Sequence, residues 1–413
     1  MASNMAQPGR LPSAILTARL HNPGSPRPLT PTTVNSAMSN HPETLAVHAG
    51  RAVDPVTGAV TPNLTLATTF ERAADGTLPH GNNYTRYGNP NRHALETALT
   101  ALEGGREALA FASGQAATAA VLQCLTAGAR AIFPNDLYHG TRALVQEFYA
   151  GRGLHAEFID QTDPAAFARA LQAPAQLVWI ETPSNPRLKI TDITTVAAAG
   201  RQAGALVVAD NTWASPLLTR PLALGAHVAM HSTTKYLGGH SDVLGGALVI
   251  GADAPEDFAH RVRNWQRLGG AVPAPFDCWL LQRSLATLPV RIRAQSATAA
   301  TLAAWLAAHS RVEAVFYPGL PSHPGHAIAG RQMSSPGAMI SFLVRGDFAA
   351  TGAVAGRLRL ITRATSLGGV ESLIEHRKLA EGPGSATPDN LLRLSVGLEH
   401  ADDLKLDLQQ ALG

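Results

Sequence analysis

Three groups of residues in the middle of the chain have the types and spacing to do chemistry together. Asp210 closes the run ALVVAD, so its carboxylate follows directly on five apolar residues. A carboxylate at the end of a buried strand is costly to ionise and calls for a cationic partner. Lys235 follows in HSTTKYLGGHSDVLGG, where Ser232, Thr233 and Thr234 compete with helix formation and the glycines let another molecule approach the backbone. Ser113 and Gly114 end the strand-like EALAFASG and precede QAATAAVLQCLTAG. That is a strand-to-helix turn, where free N–H groups and the helix dipole suit a phosphate.

A strand-end aspartate, a lysine in a hydroxyl-rich loop and a helix start fit for phosphate together describe a site for pyridoxal 5'-phosphate. The lysine amine can join the cofactor's aldehyde, and Asp210 can keep its pyridine nitrogen protonated. Ser232 and Thr234 supply hydroxyls to the phosphate. Each feature alone is more often structural than functional, and it is their joint occurrence in this order that carries weight. A nucleotide P-loop is excluded, because no G-x-x-x-x-G-K-[ST] occurs. Nothing in the spacing of His231, His240 and Asp242 enforces a metal site, and no metal is expected.

The elements that must position these groups follow from the pattern. RAIFP, AEFID, QLVWIETP, ALVVAD and GALVIG are buried-strand candidates separated by helix-length stretches such as 191–203. Ser113 is a candidate N-cap and Gly128 a terminator for the helix after EALAFASG. Alternating strand and helix predict an α/β fold with a mostly parallel sheet covered on both faces. Beyond residue 285 the alternation weakens. A helix around 294–308, then RVEAVFYPGL and MISFLV, predict a smaller α+β C-terminal domain, with RATSLGGVESL and LLRLSVGLEH as polar turns between apolar segments. The expected organisation is a disordered extension over 1–43, an arm over 44–83, a cofactor-binding large domain over 84–285 and a small domain over 286–413.

Composition narrows the function classes. The 413 residues carry a net charge of +3, in part because Arg10, Arg19 and Arg27 precede any Asp or Glu. Elsewhere there is no basic stripe with interleaved aromatics, so nucleic acid is not an expected partner. No apolar run approaches the roughly 20 residues of a membrane span. Cys124 and Cys278 lie far apart without metal-ligand spacing, which predicts reduced, buried thiols and a cytoplasmic protein. The acid-free first forty residues are read as disordered, as a targeting leader or as an extension upstream of Met38.

From Thr44 to the C-terminus the chain resembles the transsulfuration family, the pyridoxal-phosphate enzymes of cysteine and methionine metabolism. The likeness rests on ETLAVHAG, YTRYGNPNR, LEGG, FASGQAAT, LYHGT, IETPSNP, VVADNTWASP, HSTTKYLGGHSDVLGG, SLGGVESL and LRLSVGLE, in that order. It implies fold type I of the pyridoxal-phosphate enzymes, with Lys235 as the covalent anchor and mobile acid/base and Asp210 as the partner of the pyridine nitrogen. It implies that Ser232, Thr234 and the backbone of Gly114 and Gln115 hold the phosphate, that Tyr138 stacks on the ring, and that Asn185 lies near the phenolic oxygen. Tyr84 and Arg86 are implied to reach a neighbouring subunit's cofactor phosphate, which makes a homodimer the minimum and a homotetramer the expected assembly. Ser366 and Arg393, with Asn185 and Thr365 beside them, are implied to receive the substrate carboxylate. An internal ion pair to Asp or Glu is the other reading of a buried Arg393.

The implied activity is making or breaking a C–S bond in cystathionine or an O-activated homoserine, of cystathionine γ-synthase or γ-lyase type. Cystathionine β-lyase and O-acyl-homoserine sulfhydrylase activities are alternatives, as is a specialised enzyme forming C–C or C–N bonds. Four departures from the family pattern bear on specificity. Gln115 replaces a common Met, Thr365 a Glu or Tyr, and Gly140 a Cys of methionine γ-lyases. After His376 the chain runs RKLAEGPGSATPDN in place of the usual Pro-containing segment ending in Thr-His.

Overall fold

A computed structural model describes residues 40–382 and 385–413; the readings made above for residues 1–39 lie outside these. Seven strands form the larger sheet: β1 (Glu107–Phe111), β2 (Arg130–Pro134), β3 (His155–Ile159), β4 (Leu177–Glu181), β5 (Leu206–Asp210), β6 (Val228–His231) and β7 (Gly246–Ile250). Their order is β1-β7-β6-β5-β4-β2-β3. Only β7 runs against its neighbours; the other pairs are parallel. β4 and β7 are buried along their whole length, as expected of strands covered on both faces. Alternation along β5 sends Val208 into one apolar cluster and Val207 and Ala209 into another on the opposite face.

Helices pack in both clusters. Ala117, Ala120 and Val121 of helix Gly114–Gln123 join the first, and Ile193, Val196 and Ala197 of helix Ile193–Gln202 join the second. Helix Ile193–Gln202 begins at Asp192, whose side chain accepts from Thr195 N, an N-cap that satisfies one of the free first-turn donors. The helix predicted to run toward Gly128 ends earlier, at Gln123. The N–H of Thr126 is taken by Gln176 Oε1 at 2.8 Å instead of a helical carbonyl, and Gly128, with φ +78°, serves the turn into β2.

Five strands make the smaller sheet: β8 (Val312–Phe316), β9 (Met339–Val344), β10 (Thr362–Arg363), β11 (Leu373–His376) and β12 (Leu391–Ser395), in the order β10-β11-β12-β9-β8. All its pairs are antiparallel except β10–β11. β6, β10, β11 and β12 were not predicted. β6 has only four residues and merges into a hydroxyl-rich loop. β12 carries Arg393 at its centre, which reads as a polar turn until its partners on neighbouring segments are known. The arm over 44–83 is irregular apart from the end of helix Pro42–His48, which buries Ala46. It is held by side chains of the folded body: Asn91 bonds Asn63 O and Thr65 N, and Trp279 Nε1 donates to Pro62 O at 2.8 Å. Among the described residues, no helix is long and apolar enough to cross a membrane.

Candidate active site

The carboxyl ends of β4, β5 and β6 meet the start of helix Gly114–Gln123, the point at which open α/β sheets place ligands. One cavity there is lined by Gly114, Gln115, Tyr138, Asn185, Asp210 and Ser232, and also by Thr234, Lys235, Thr365, Ser366 and Arg393. Tyr84 and Arg86 do not line it. Tyr84 is exposed, and Arg86 donates to Arg267 O at 2.8 Å with its guanidinium 4.8 Å from the Tyr87 ring.

Among the described residues, no Lys or Arg pairs with Asp210. Its Oδ1 accepts instead from Thr212 N at 3.0 Å and from Thr212 Oγ1 at 2.5 Å. A side chain bonding to a residue two positions on is a local turn that Asp favours, and it fixes the carboxylate's direction. Burial raises the Asp210 pKa above its ordinary value. Across the register lies Glu181, whose pKa is pushed well up by burial and then by Asp210. Both Glu181 oxygens accept from Tyr138 N, at 3.0 and 2.9 Å.

Lys235 Nζ donates to Ser366 Oγ at 2.8 Å. Burial, followed by the nearby Arg393 charge, lowers its pKa from 10.5 to about 8. An ammonium gives up its proton more readily where water is excluded and a like charge is close. Near neutrality such a lysine can act as nucleophile and as proton carrier.

At the other end, Ser113 Oγ accepts from Ala116 N at 3.1 Å and caps the helix. The backbone N–H groups of Gly114 and Gln115 have no acceptor among the described residues. Ser232 approaches this turn so closely that a Cβ at position 114 would lie 2.8 Å from Ser232 Cβ. Thr234 Oγ1 donates to Gly245 O at 3.1 Å and accepts from Gly245 N at 3.0 Å, which ties the lysine loop to the chain entering β7.

Arg393 is buried, and Asn185 Oδ1 accepts from its Nη1 at 2.9 Å. Its Nη2 lies 2.8 Å from Glu375 Oε2 and 3.4 Å from Ser366 O. Both readings of this arginine therefore have their structural counterpart: it lines the cavity, and it is paired to a glutamate. Burial and then Arg377 lower its pKa to about 9. His231 and His240 have other partners, Glu103 Oε1 at 2.5 Å and Gly238 O at 2.8 Å.

Sequence reasoning missed Thr212, Glu181 and Arg377. Glu181 had a signal, since it is a lone charge closing the apolar run LVWI. Arg377 had only its place in a segment that departs from the family pattern.

These residues fit pyridoxal phosphate. A turn whose two N–H groups have no acceptor among the described residues suits a phosphate beside a hydroxyl, a buried carboxylate without a Lys or Arg among them suits a protonated pyridine nitrogen, and a lysine with lowered pKa suits an aldehyde.

The model of the family described as "Cys/Met metabolism PLP-dependent enzyme" matches residues 43–413. Over 379 residues the chain is 45% identical to a cystathionine gamma-synthase of Mycobacterium tuberculosis, covering 90% of this chain and 97% of the relative. Over 389 residues it is 41% identical to a cystathionine beta-lyase of Coxiella burnetii, covering 92% of this chain and 100% of the relative. The crystal structure of cystathionine gamma synthase from Xanthomonas oryzae pv. oryzae in complex with cystathionine superposes with a TM-score of 0.86 at 41% identity, covering 90% of this chain and 98% of that one. With the match running from residue 43 to the C-terminus, the chain belongs to the PLP-dependent enzymes of Cys/Met metabolism.

Proposed function

We propose that this enzyme makes or cleaves a C–S bond of cystathionine by γ-replacement or γ-elimination, in the manner of cystathionine γ-synthase and γ-lyase. The observation that carries the reading is Lys235, a lysine of lowered pKa aimed at Ser366 in a cavity that also holds Asp210 and Arg393. When bound, the cofactor supplies an electron sink that labilises bonds at the substrate's α carbon.

The chain's own residues bind and orient around it. Asp210, directed by Thr212, would keep a proton on the pyridine nitrogen. Ser232, Thr234 and the N–H groups of Gly114 and Gln115 would hold the phosphate; for Thr234 this means sharing a hydroxyl already bonded to Gly245. Arg393, Asn185 and Ser366 receive the substrate's α-carboxylate, with Thr365 beside them, and a guanidinium offers it two parallel hydrogen bonds. Lys235 Nζ then takes the proton from the α carbon and returns one farther along the substrate. Tyr138, held by Glu181, would cover the cofactor ring, and Asn185 would also lie near its phenolic oxygen.

Product analysis tests the reading, with cystathionine alone and with O-succinyl- or O-acetyl-homoserine plus cysteine. 2-Oxobutyrate marks the γ-lyase reaction and new cystathionine the γ-synthase reaction. Pyruvate would move the assignment to β-lyase, and the absence of all three products would overturn it.

We also read Tyr84 and Arg86 as serving the cofactor phosphate of a neighbouring subunit, because they stand near the surface outside their own chain's cavity. This makes the working unit a homodimer, paired further into a tetramer; active holoenzyme sedimenting as a monomer would refute it. A cytoplasmic location accords with the unpaired, buried Cys124 and Cys278 and is checked by cell fractionation.

A further inference from the structure

Glu375 lies opposite Arg393 in the antiparallel register of β11 and β12. Its Oε2 accepts from Arg393 Nη2 at 2.8 Å and also from Arg377 Nη1. One carboxylate oxygen thus joins two guanidiniums, and both arginines line the cavity while Glu375 does not. Arg377 is anchored from behind as well. Its Nε and Nη2 donate to Glu381 Oε1 at 3.2 and 2.6 Å, and Thr387 Oγ1 donates to Glu381 Oε2 at 2.6 Å. All four charged side chains are at most 12% exposed.

A resident carboxylate on Arg393 is a competitor for any carboxylate that arrives from solution. Alone with Arg393, Glu375 would form a closed buried pair, and a substrate carboxylate would have to displace it or crowd in as a second anion. Removing the partner of a buried charge is costly, as is placing two carboxylates side by side without enough cations. Arg377 alters both terms. It gives Glu375 a second cation, so Glu375 can yield its hold on Arg393 without being left unpaired. With two guanidiniums, two glutamates and one incoming carboxylate, the cluster carries a single excess negative charge instead of two.

We propose that Arg377 is a positioning residue: as a second cation on Glu375 it lets that carboxylate release Arg393 when the substrate's α-carboxylate arrives. The inference rests on the reading of Arg393 as the carboxylate site. Arg377 opens the segment after His376.

The test uses the holoenzyme and two ligands that carry no leaving group, L-alanine and ethylamine, which differ only by the carboxylate. Binding is read from the absorbance of the bound cofactor. In Arg377→Gln the dissociation constant of L-alanine is expected to rise about tenfold or more, while that of ethylamine stays within about twofold. Adding Glu375→Gln to the same chain removes the competitor and is expected to bring L-alanine back to within about threefold of the parent. Arg377→Lys, which keeps the charge, is expected to lie close to the parent and serves if the glutamine variant does not fold. An unchanged ratio of the two ligands in Arg377→Gln overturns the proposal, and so does a double variant that fails to recover. Arg393→Lys separates the two levels: if it too leaves the ratio unchanged, it is the assignment of Arg393 that fails.

Discussion

Lys235 Nζ donates to Ser366 Oγ at 2.8 Å, and Ser366 holds that position with a backbone φ of +101°. The two residues are far apart in the sequence, and the contact brings the loop after β6 against the loop that precedes β11. A serine at this φ is strained, at a cost of order 1–3 kcal/mol. The strain is sustained because Gly368 N donates to Ser395 Oγ at 2.8 Å and pins the loop to β12.

Replacing Ser366 by Gly should therefore separate stability from function. The glycine relieves the backbone, so the denaturation midpoint of the apoprotein is expected to rise, by up to about 1 kcal/mol in stability. At the same time the hydroxyl on Lys235 is lost, and kcat/KM is expected to fall about tenfold or more. Unfolding curves and steady-state kinetics on the same preparation check both signs. A glycine variant that is less stable than the parent would show that Ser366 is not strained.

The lowered pKa of Lys235 gives a pH signature. Condensation with an aldehyde needs the free amine, so uptake of pyridoxal phosphate by the apoprotein is expected to accelerate through pH about 8, well below the ordinary 10.5. Between these two values the unfolded chain keeps the proton that the folded chain has released. Stability relative to Lys235→Met therefore rises with pH across that window and is flat below it. Stopped-flow uptake rates and pH-dependent unfolding of the two proteins test this; an uptake rate still climbing at pH 10 would refute it.

Gly114 offers a probe of the phosphate end. An added Cβ would meet Ser232 Cβ at 2.8 Å and Ser232 Oγ at 2.9 Å, so Gly114→Ala must push the turn and the serine apart. The expected loss is specific to the phosphate: affinity for pyridoxal phosphate falls about tenfold or more, whereas affinity for pyridoxal changes little. Equilibrium dialysis of the apoprotein with both compounds measures the difference. Equal losses for the two would place the damage elsewhere in the fold.

Much of this protein was legible before its structure. Asp210, Lys235 and Ser113–Gly114 announce themselves because each breaks a local pattern, a charge after apolar residues or glycines where a helix should continue, and local patterns are what a sequence records. The central strands β1, β2, β4, β5 and β7 were legible for the same reason: burial on both faces forces unbroken apolar runs. Short or edge elements such as β6 and β10 leave no such trace. Nor did the sequence say how charges would be shared. Nor could it show that the Asp210 carboxylate, expected to face the cofactor's pyridine nitrogen, is aimed by the hydroxyl and N–H of Thr212. The pairing of Arg393 with Glu375 exists only because β11 and β12 run antiparallel in one register. Residue types and spacing determined which chemistry is available. Tertiary structure decided which charges face one another, because the strength of a buried ion pair depends on distances and solvent exclusion between segments that are remote along the chain.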